Sequence, residues 1–347
     1  YPMGTGWRHS SCSTWPLLSC LQDNCARVQA EFRNPRVVVA PHLMNTIAIT
    51  GASGYLGRHL MAELTRMEGS RIKVISRSGQ RDFGSAGFGT EIEVVAGDLR
   101  EPASLQGFLE PGCTVVNLVY LWGAGEAENL AVTRNLLDAC QAAHVRRLIN
   151  CSTVAVVGRV PDDRITEDTS CQPVTEYGIT KLKIEKAIVS AARGCFDTAI
   201  LRPTSVFGPE GDPLKKLAGD LASGGRLRNY LRSCFFGRRR MNLVHVANVT
   251  AAIMFLMRRT ENLGGEVFIV SDDDSPANNF AGVERFLMRA LGLPDYRLPR
   301  LPLPSGLLAF LLSCLGRNNV NPRCNYDPGK LRGLGFIIAP ATPLPSP

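Results

Sequence analysis

Short apolar runs alternate with helix-spaced segments along most of this chain. Thr46–Thr50 is the first run, and Gly57–Met67 follows it with Leu60, Met61 and Leu64 at helical spacing. Strands are predicted over Arg71–Ser76, Ile92–Val95 and Thr114–Val119, and a helix over Glu126–Ala143. A strand at Arg147–Cys151, a helix at Tyr177–Arg193 and a strand at Asp197–Leu201 continue the alternation. Apolar, β-branched strands separated by helices imply a parallel sheet covered on both faces. The expected fold is therefore a Rossmann-like, doubly wound α/β domain over 44–205. Beyond Pro203 the pattern loosens into more Gly, Pro and basic residues, with a helix near Val246–Arg258 and a strand at Val267–Val270. Residues 206–347 are expected to form a smaller mixed C-terminal substrate lobe, partly interleaved with the first domain.

Residues 1–43 lack either periodicity, and Pro16 breaks their short apolar patch. They read as a poorly structured N-terminal extension, with the folded protein starting near Met44. The run from Gly306 to Leu315 is about half the length a membrane-spanning helix needs and reads as a buried helix. No other stretch is longer, so no membrane span is expected.

Composition adds two constraints. The eleven cysteines form no C-x-x-C pair and no Cys/His cluster at zinc-ligand spacing, which argues against a metal site and for reduced thiols in a cytoplasmic protein. The net charge of +8 owes much to Lys215–Arg240, where eight cations face only Asp220. That stretch reads either as a solvated surface or as contacts for the phosphates of a nucleotide-linked ligand. No nucleic-acid motif accompanies it, so nucleic acid is not an expected partner.

Two segments carry the chemistry. Gly51, Gly54 and Gly57 follow the first strand and open a helix. There they permit a tight turn, close approach of a pyrophosphate and close helix–strand packing. Their G-x-x-G-x-x-G spacing is one residue wider at the front than the best-known dinucleotide fingerprint. Arg77 and Arg81 lie at the end of the second strand, with no acid before Asp82, which favours the 2′-phosphate of NADP over NAD; a solvent-facing loop arginine is the other reading of Arg77. Asp98 fits either an adenine contact or a helix N-cap.

Tyr177 and Lys181 are four apart on one helix face. A nearby ammonium is expected to lower the tyrosine pKa from about 10, suiting it to move a proton on and off a hydroxyl. Thr153, ending a strand beside the expected cofactor, can hydrogen-bond the same oxygen.

These segments, in this order, resemble the extended short-chain dehydrogenase/reductase family of NAD-dependent epimerases and dehydratases. The resemblance runs from Met44 to about Phe336. It includes Gly97-Asp98-Leu99, Asn129 with Thr133 and Asn135–Leu137, and Ser152-Thr153 with Gly158. It continues through Tyr177–Lys181 with Glu185, Leu201-Arg202-Pro203, Val206–Pro209, Val244–Val246 with Asn248-Val249, and Lys330-Leu331 with Leu334–Phe336. The resemblance implies Tyr177 as catalytic acid/base, Lys181 as holder of Tyr177 and the nicotinamide ribose, and Thr153 as the hydroxyl partner. It places Gly51, Ser53, Gly54, Tyr55, Leu56, Gly57, Arg77, Asp98, Leu99, Tyr177, Lys181 and Pro203 on the cofactor, and Ser205, Arg238 and His245 on the substrate. It also implies a small-molecule substrate, and a homodimer formed through the helices near 126–143 and 177–193.

Departures from the family pattern narrow the chemistry. Val154-Ala155 stands where nucleotide-sugar 4,6-dehydratases carry Asp-Glu, which disfavours dehydration. Ser205 replaces an Asn that often serves sugar-nucleotide phosphates, and Asn117–Tyr120 lacks the common His-Leu-Ala-Ala run. The leading expectation is an NAD(P)-dependent epimerase or reductase of a nucleotide-linked sugar. The alternatives are a reductase of an apolar alcohol or ketone, as in steroid- or flavonol-reductase relatives, and a cofactor-binding regulator without turnover.

Overall fold

A computed structural model describes residues 46–67, 69–79, 90–211, 214–301, 303–304, 306–307, 314 and 321–339. The 1–43 extension, Arg81 and Asp82 lie outside them.

Seven strands form one all-parallel sheet: β1 (Ile47–Thr50), β2 (Arg71–Ser76), β3 (Glu91–Ala96), β4 (Thr114–Asn117), β5 (Arg147–Cys151), β7 (Asp197–Pro203) and β10 (Glu266–Val270). Their spatial order is β10-β7-β5-β4-β1-β2-β3. The chain winds outward from β1 through β2 and β3, then returns to start again on β1's other side at β4. The crevice at the C-terminal ends of β1 and β4 is thus the topological switch point, where open α/β sheets bind ligands.

Alternation along the strands feeds two cores. Ile47, Ile49, Val116 and Ile149 face α1 (Tyr55–Leu64) and α6 (Val246–Arg258), meeting Leu60, Leu64, Val249 and Ile253. Ala48, Val115 and Leu148 point the other way, toward α2 (Glu126–Ala142) and α3 (Glu176–Ala192), onto Leu136, Leu137, Ile184 and Ile188. Successive strand side chains leave opposite faces, so each strand serves both layers. Each fully buried Leu or Ile contributes roughly 1.5–3 kcal/mol.

Short strands and further helices complete the chain. β6 (Arg164–Ile165) pairs with β11 (Asn325–Tyr326), and β8 (Ser205–Phe207) with β9 (Leu243–His245). Helices α4 (Lys215–Ser223), α5 (Arg226–Phe236) and α7 (Phe280–Ala290) lie beyond β8, and Leu217, Leu221, Phe280, Val283 and Leu287 form a third core with Leu243. A last turn, α8 (Gly329–Gly333), seats Leu331 in the first core. The strand expected over Thr114–Val119 stops at Asn117, whose Oδ1 accepts from the Val119 backbone at 3.4 Å and turns the chain. The described start of the expected 306–315 helix, Gly306 and Leu307, is exposed rather than buried. Among the described residues no helix is long and apolar enough to cross a membrane.

Candidate active site

Gly51 leaves β1 with φ +75°, a conformation glycine adopts without strain. A Cβ there would lie 3.1 Å from the Leu118 carbonyl carbon, so the turn presses against the segment leaving β4. At Gly57 a Cβ would stand 2.3 Å from the Gly51 oxygen, so only glycine lets α1 close over the turn. Gly54 is the extended N-cap of α1 and has no side chain to satisfy the first N–H groups, and the first turn holds no acid. An uncapped helix start at the switch point fits a dinucleotide diphosphate.

Around this turn, Ser53 is exposed and its carbonyl accepts from Arg58 at 3.1 Å. Leu56 packs on the first core, while the Tyr55 ring meets His59 edge-on at 5.0 Å and reaches Gly208 and Gly211. Arg77 is exposed one residue past β2. Asp98 behaves as a local cap: its Oδ1 accepts from the Arg100 backbone at 3.0 Å, and its carboxylate lies 3.4 Å from the Arg100 guanidinium. Leu99 is buried against α2, and Pro203 is buried at the end of β7.

Tyr177, Lys181 and Thr153 meet at the C-terminal end of β5. Thr175 caps α3 by accepting from the Gly178 backbone at 3.1 Å, which sets Tyr177 in the first turn. Gly178 has the Ala155 carbonyl oxygen 2.5 Å from where its Cβ would be, so the close approach of α3 to Thr153–Ala155 depends on glycine. Thr153 Oγ1 accepts from the Ala155 backbone at 3.2 Å, and the Thr153 hydroxyl is near enough to Tyr177 to pull its pKa down. Lys181 is buried, with Nζ donating to the Cys151 carbonyl at 2.9 Å.

A buried ion pair holds this helix in place. Arg202 on β7 donates to both carboxylate oxygens of Glu185, at 3.1 and 2.6 Å, and Ser152 donates to the same carboxylate. One guanidinium and one hydroxyl thus lock α3 against β5 and β7, with Lys181 one turn away.

The electrostatics depart from expectation at Tyr177. Burial pushes its hydroxyl up to about 12, with a further rise from Cys151, against a smaller lowering by the Thr153 hydrogen bond. Burial also lowers Lys181, opposed by Cys151 and Glu185. The ammonium is turned onto the Cys151 carbonyl, and desolvation outweighs any help it gives the phenolate.

Sequence reasoning missed the aromatic surroundings. Trp122 stacks on Tyr177 with ring centroids 5.0 Å apart and planes 21° off parallel, and Tyr120 meets the same ring edge-on at 4.8 Å. Trp122 is nonetheless 76% exposed. The signal was two aromatics just after a strand that feeds the switch point.

The three expected substrate residues are not brought to Tyr177 by any hydrogen bond or ring contact among the described residues. Ser205 is exposed at the start of β8, and Arg238 is exposed beyond α5. His245 caps α6, its Nδ1 accepting from the Ala247 backbone at 3.2 Å, and it sits edge-on to Phe207. Burial, then the charge of His59, lowers its pKa to about 4. Much of the basic stretch is also engaged: Arg232 pairs with Asp220 at 2.9 Å, and Arg240 donates to the Asp273 carbonyl at 2.8 Å. Arg226 donates to the Asp295 carbonyl and lies over the Tyr296 ring. Among the described residues no group of three or more His, Cys, Asp or Glu is placed to hold a metal ion.

Comparison with known proteins follows the same lines. The model of the NAD dependent epimerase/dehydratase family matches residues 47–271. Mouse sterol-4-alpha-carboxylate 3-dehydrogenase, decarboxylating, is 26% identical over 301 residues, covering 80% of this chain and 79% of the relative. Sterol demethylase protein B of Methylococcus capsulatus is 27% identical over 314 residues, covering 84% and 89%. Among solved structures, MoeE5 in complex with UDP-glucuronic acid and NAD superposes with a TM-score of 0.59 at 22% identity, covering 85% of this chain and 94% of that one.

Proposed function

The chain belongs to the NAD dependent epimerase/dehydratase family, and we propose that it is an NADP-preferring reductase of a ketone carried on an apolar ring system. The observation that carries this reading is the Trp122–Tyr177 stack, with Tyr120 closing the corner. Flat aromatic faces beside the proton-transferring hydroxyl suit a ring scaffold, which gains both burial and stacking there. The two sterol-named relatives, each aligned over about four-fifths of this chain, point the same way.

NADPH, when bound at the Gly51–Gly57 turn, would supply the hydride and leave as NADP. The proton work falls to this chain's own residues. With its pKa near 12, Tyr177 keeps its proton through the physiological range and stands as the donor to a carbonyl oxygen. Thr153, beside Tyr177, is the hydroxyl assigned to orient the same oxygen. Lys181, fixed on the Cys151 carbonyl, brings positive charge under the site without exposing it to water. Arg77, exposed one residue past β2, is the residue assigned to the adenosine 2′-phosphate.

A second reading, hydride transfer on a nucleotide-linked sugar, is favoured by the likeness to MoeE5, which binds UDP-glucuronic acid. It has less support from the basic stretch, whose Arg226, Arg232 and Arg240 are already engaged within the fold.

A thermal-shift screen with NADP, NAD and UDP, followed by NADPH oxidation in the presence of a rigid polycyclic ketone, separates the two. Stabilisation by NADP, none by UDP, and ketone-dependent NADPH loss are expected. Stabilisation by UDP with no ketone turnover would replace this reading with the sugar one. An Arg77→Asp variant is expected to lose its preference for NADP over NAD; an unchanged preference removes Arg77 from the cofactor site.

A further inference from the structure

Helix α5 is built inside out. Its buried positions are the polar Asn229 and Ser233, while Leu227, Leu231 and Phe235 are exposed. Leu227 is 71% exposed. Residues four apart share a helix face, so Leu227, Leu231 and Phe235 form one continuous apolar stripe opposite the buried polar one. The inward polar side chains have partners: Ser233 donates to Glu284, and Asn229 donates to the Leu221 carbonyl at 3.2 Å.

The segment after α7 widens this stripe. Tyr230 donates to the Pro299 carbonyl at 3.0 Å, and the Leu303 backbone donates to the Cys234 carbonyl at 3.0 Å, so Pro299 and Leu303 lie against the flank of α5. Leu298 and Leu301, on either side of Pro299, are exposed, the latter 75% accessible. Arg228 on α5, Arg238 two residues past its end and Arg297 beside Leu298 are all exposed, and none has a salt bridge among the described residues. The neighbouring acids are consumed, Asp220 by Arg232 at 2.9 Å and Asp295 by Arg300 at 2.7 Å.

We infer that this face, α5 with the 298–301 segment, seats the protein on an anionic lipid surface. The apolar stripe would enter the acyl boundary while the arginines meet phosphate headgroups. A second copy of this chain fits poorly. Two-fold pairing through the same patch sets Arg228, Arg238 and Arg297 near their own counterparts, while the neighbouring acids Asp220 and Asp295 are already paired. The inference uses none of the residues gathered around Tyr177 or the Gly51–Gly57 turn, and takes Arg238 for the lipid surface rather than for the substrate.

Flotation of the full chain with vesicles tests it, using phosphatidylcholine alone and phosphatidylcholine mixed with phosphatidylserine. Binding to the mixed vesicles, weakened by salt, is expected. A Leu227→Glu/Leu231→Glu variant should lose that binding while keeping its melting temperature and its NADP-induced shift. Arg228→Ala should weaken it roughly fivefold, the equivalent of about 1 kcal/mol for one cation at an anionic surface. Failure to float with either vesicle, or equal binding by the double variant, overturns the assignment. A dimer in solution that the double variant dissociates would also overturn it, giving the face to self-association.

Discussion

Trp122 and Tyr177 stack face to face, centroids 5.0 Å apart, although one follows the exit of β4 and the other opens helix α3, 55 positions on in the chain (177 less 122). Burial is the largest influence on the Tyr177 hydroxyl. Trp122→Ala should therefore lower the Tyr177 pKa from about 12 and move the basic limb of the pH–rate profile to lower pH. KM for a ring ketone should rise with it. Tyr177→Phe should cut turnover at least ~100-fold while leaving the NADP-induced thermal shift in place. Retention of most activity by the Phe variant would remove Tyr177 from the proton-transfer role.

Two glycines six and three residues beyond Gly51 should respond differently to the same substitution. Gly57→Ala drives a Cβ to 2.3 Å from the Gly51 carbonyl oxygen, a backbone clash with nowhere to relax. It should destabilise the protein by roughly 3 kcal/mol or more, read from urea unfolding. At Gly54 the added Cβ meets the Gly51 oxygen at 3.3 Å, which small adjustments relieve. Gly54→Ala should keep nearly normal stability but weaken dinucleotide binding, measured by calorimetry. Equal effects on both properties would separate this turn from phosphate binding.

The Glu185–Arg202 pair sits almost wholly out of water. Removing the carboxylate charge leaves an uncompensated guanidinium, which costs roughly 3–5 kcal/mol. Glu185→Gln should show that loss in chemical denaturation, along with a lower kcat as α3 loosens. Adding Arg202→Met should recover much of the stability without restoring kcat. If both recover together, the pair serves the fold and does not position Tyr177.

His245 gives stability a dependence on acid. Its folded-state pKa, about 4, is below the ordinary value of 6.5, because burial and His59 disfavour the imidazolium. Between these values the unfolded chain takes the proton and the folded one does not. The contribution is therefore complete above pH 6.5 and is lost as pH falls toward 4, amounting to about 3 kcal/mol. Protonation at Nδ1 would also break the α6 cap. His245→Asn keeps a cap acceptor without titrating, so its urea midpoint should fall less than that of the parent between pH 7 and 4.5. Parallel curves would show that the imidazole does not govern this limb.

The parallel architecture and the glycine turn were legible in the sequence because both are local. β-Branched runs, helical spacing and a glycine that must adopt φ +75° leave their mark within a few residues. Tyr177 and Lys181 were visible for the same reason, sharing one helix face. Helix α5 was not, since it reverses the usual pattern by burying Asn229 and Ser233 and exposing Leu227 and Leu231. A periodicity that points the apolar side outward predicts the helix in the wrong orientation, or not at all.

What the chain by itself determined was the fold and the order of its chemical groups. Only the tertiary structure decided their state. Desolvation depends on everything packed around an atom, so the Tyr177 pKa moved up although a lysine four residues on argued for down. The same packing set Lys181 on the Cys151 carbonyl, anchored Arg202 on Glu185 and brought Trp122 over the tyrosine. Those contacts join helix α3 to residues at or beyond the ends of other strands, and no spacing along one segment can encode them.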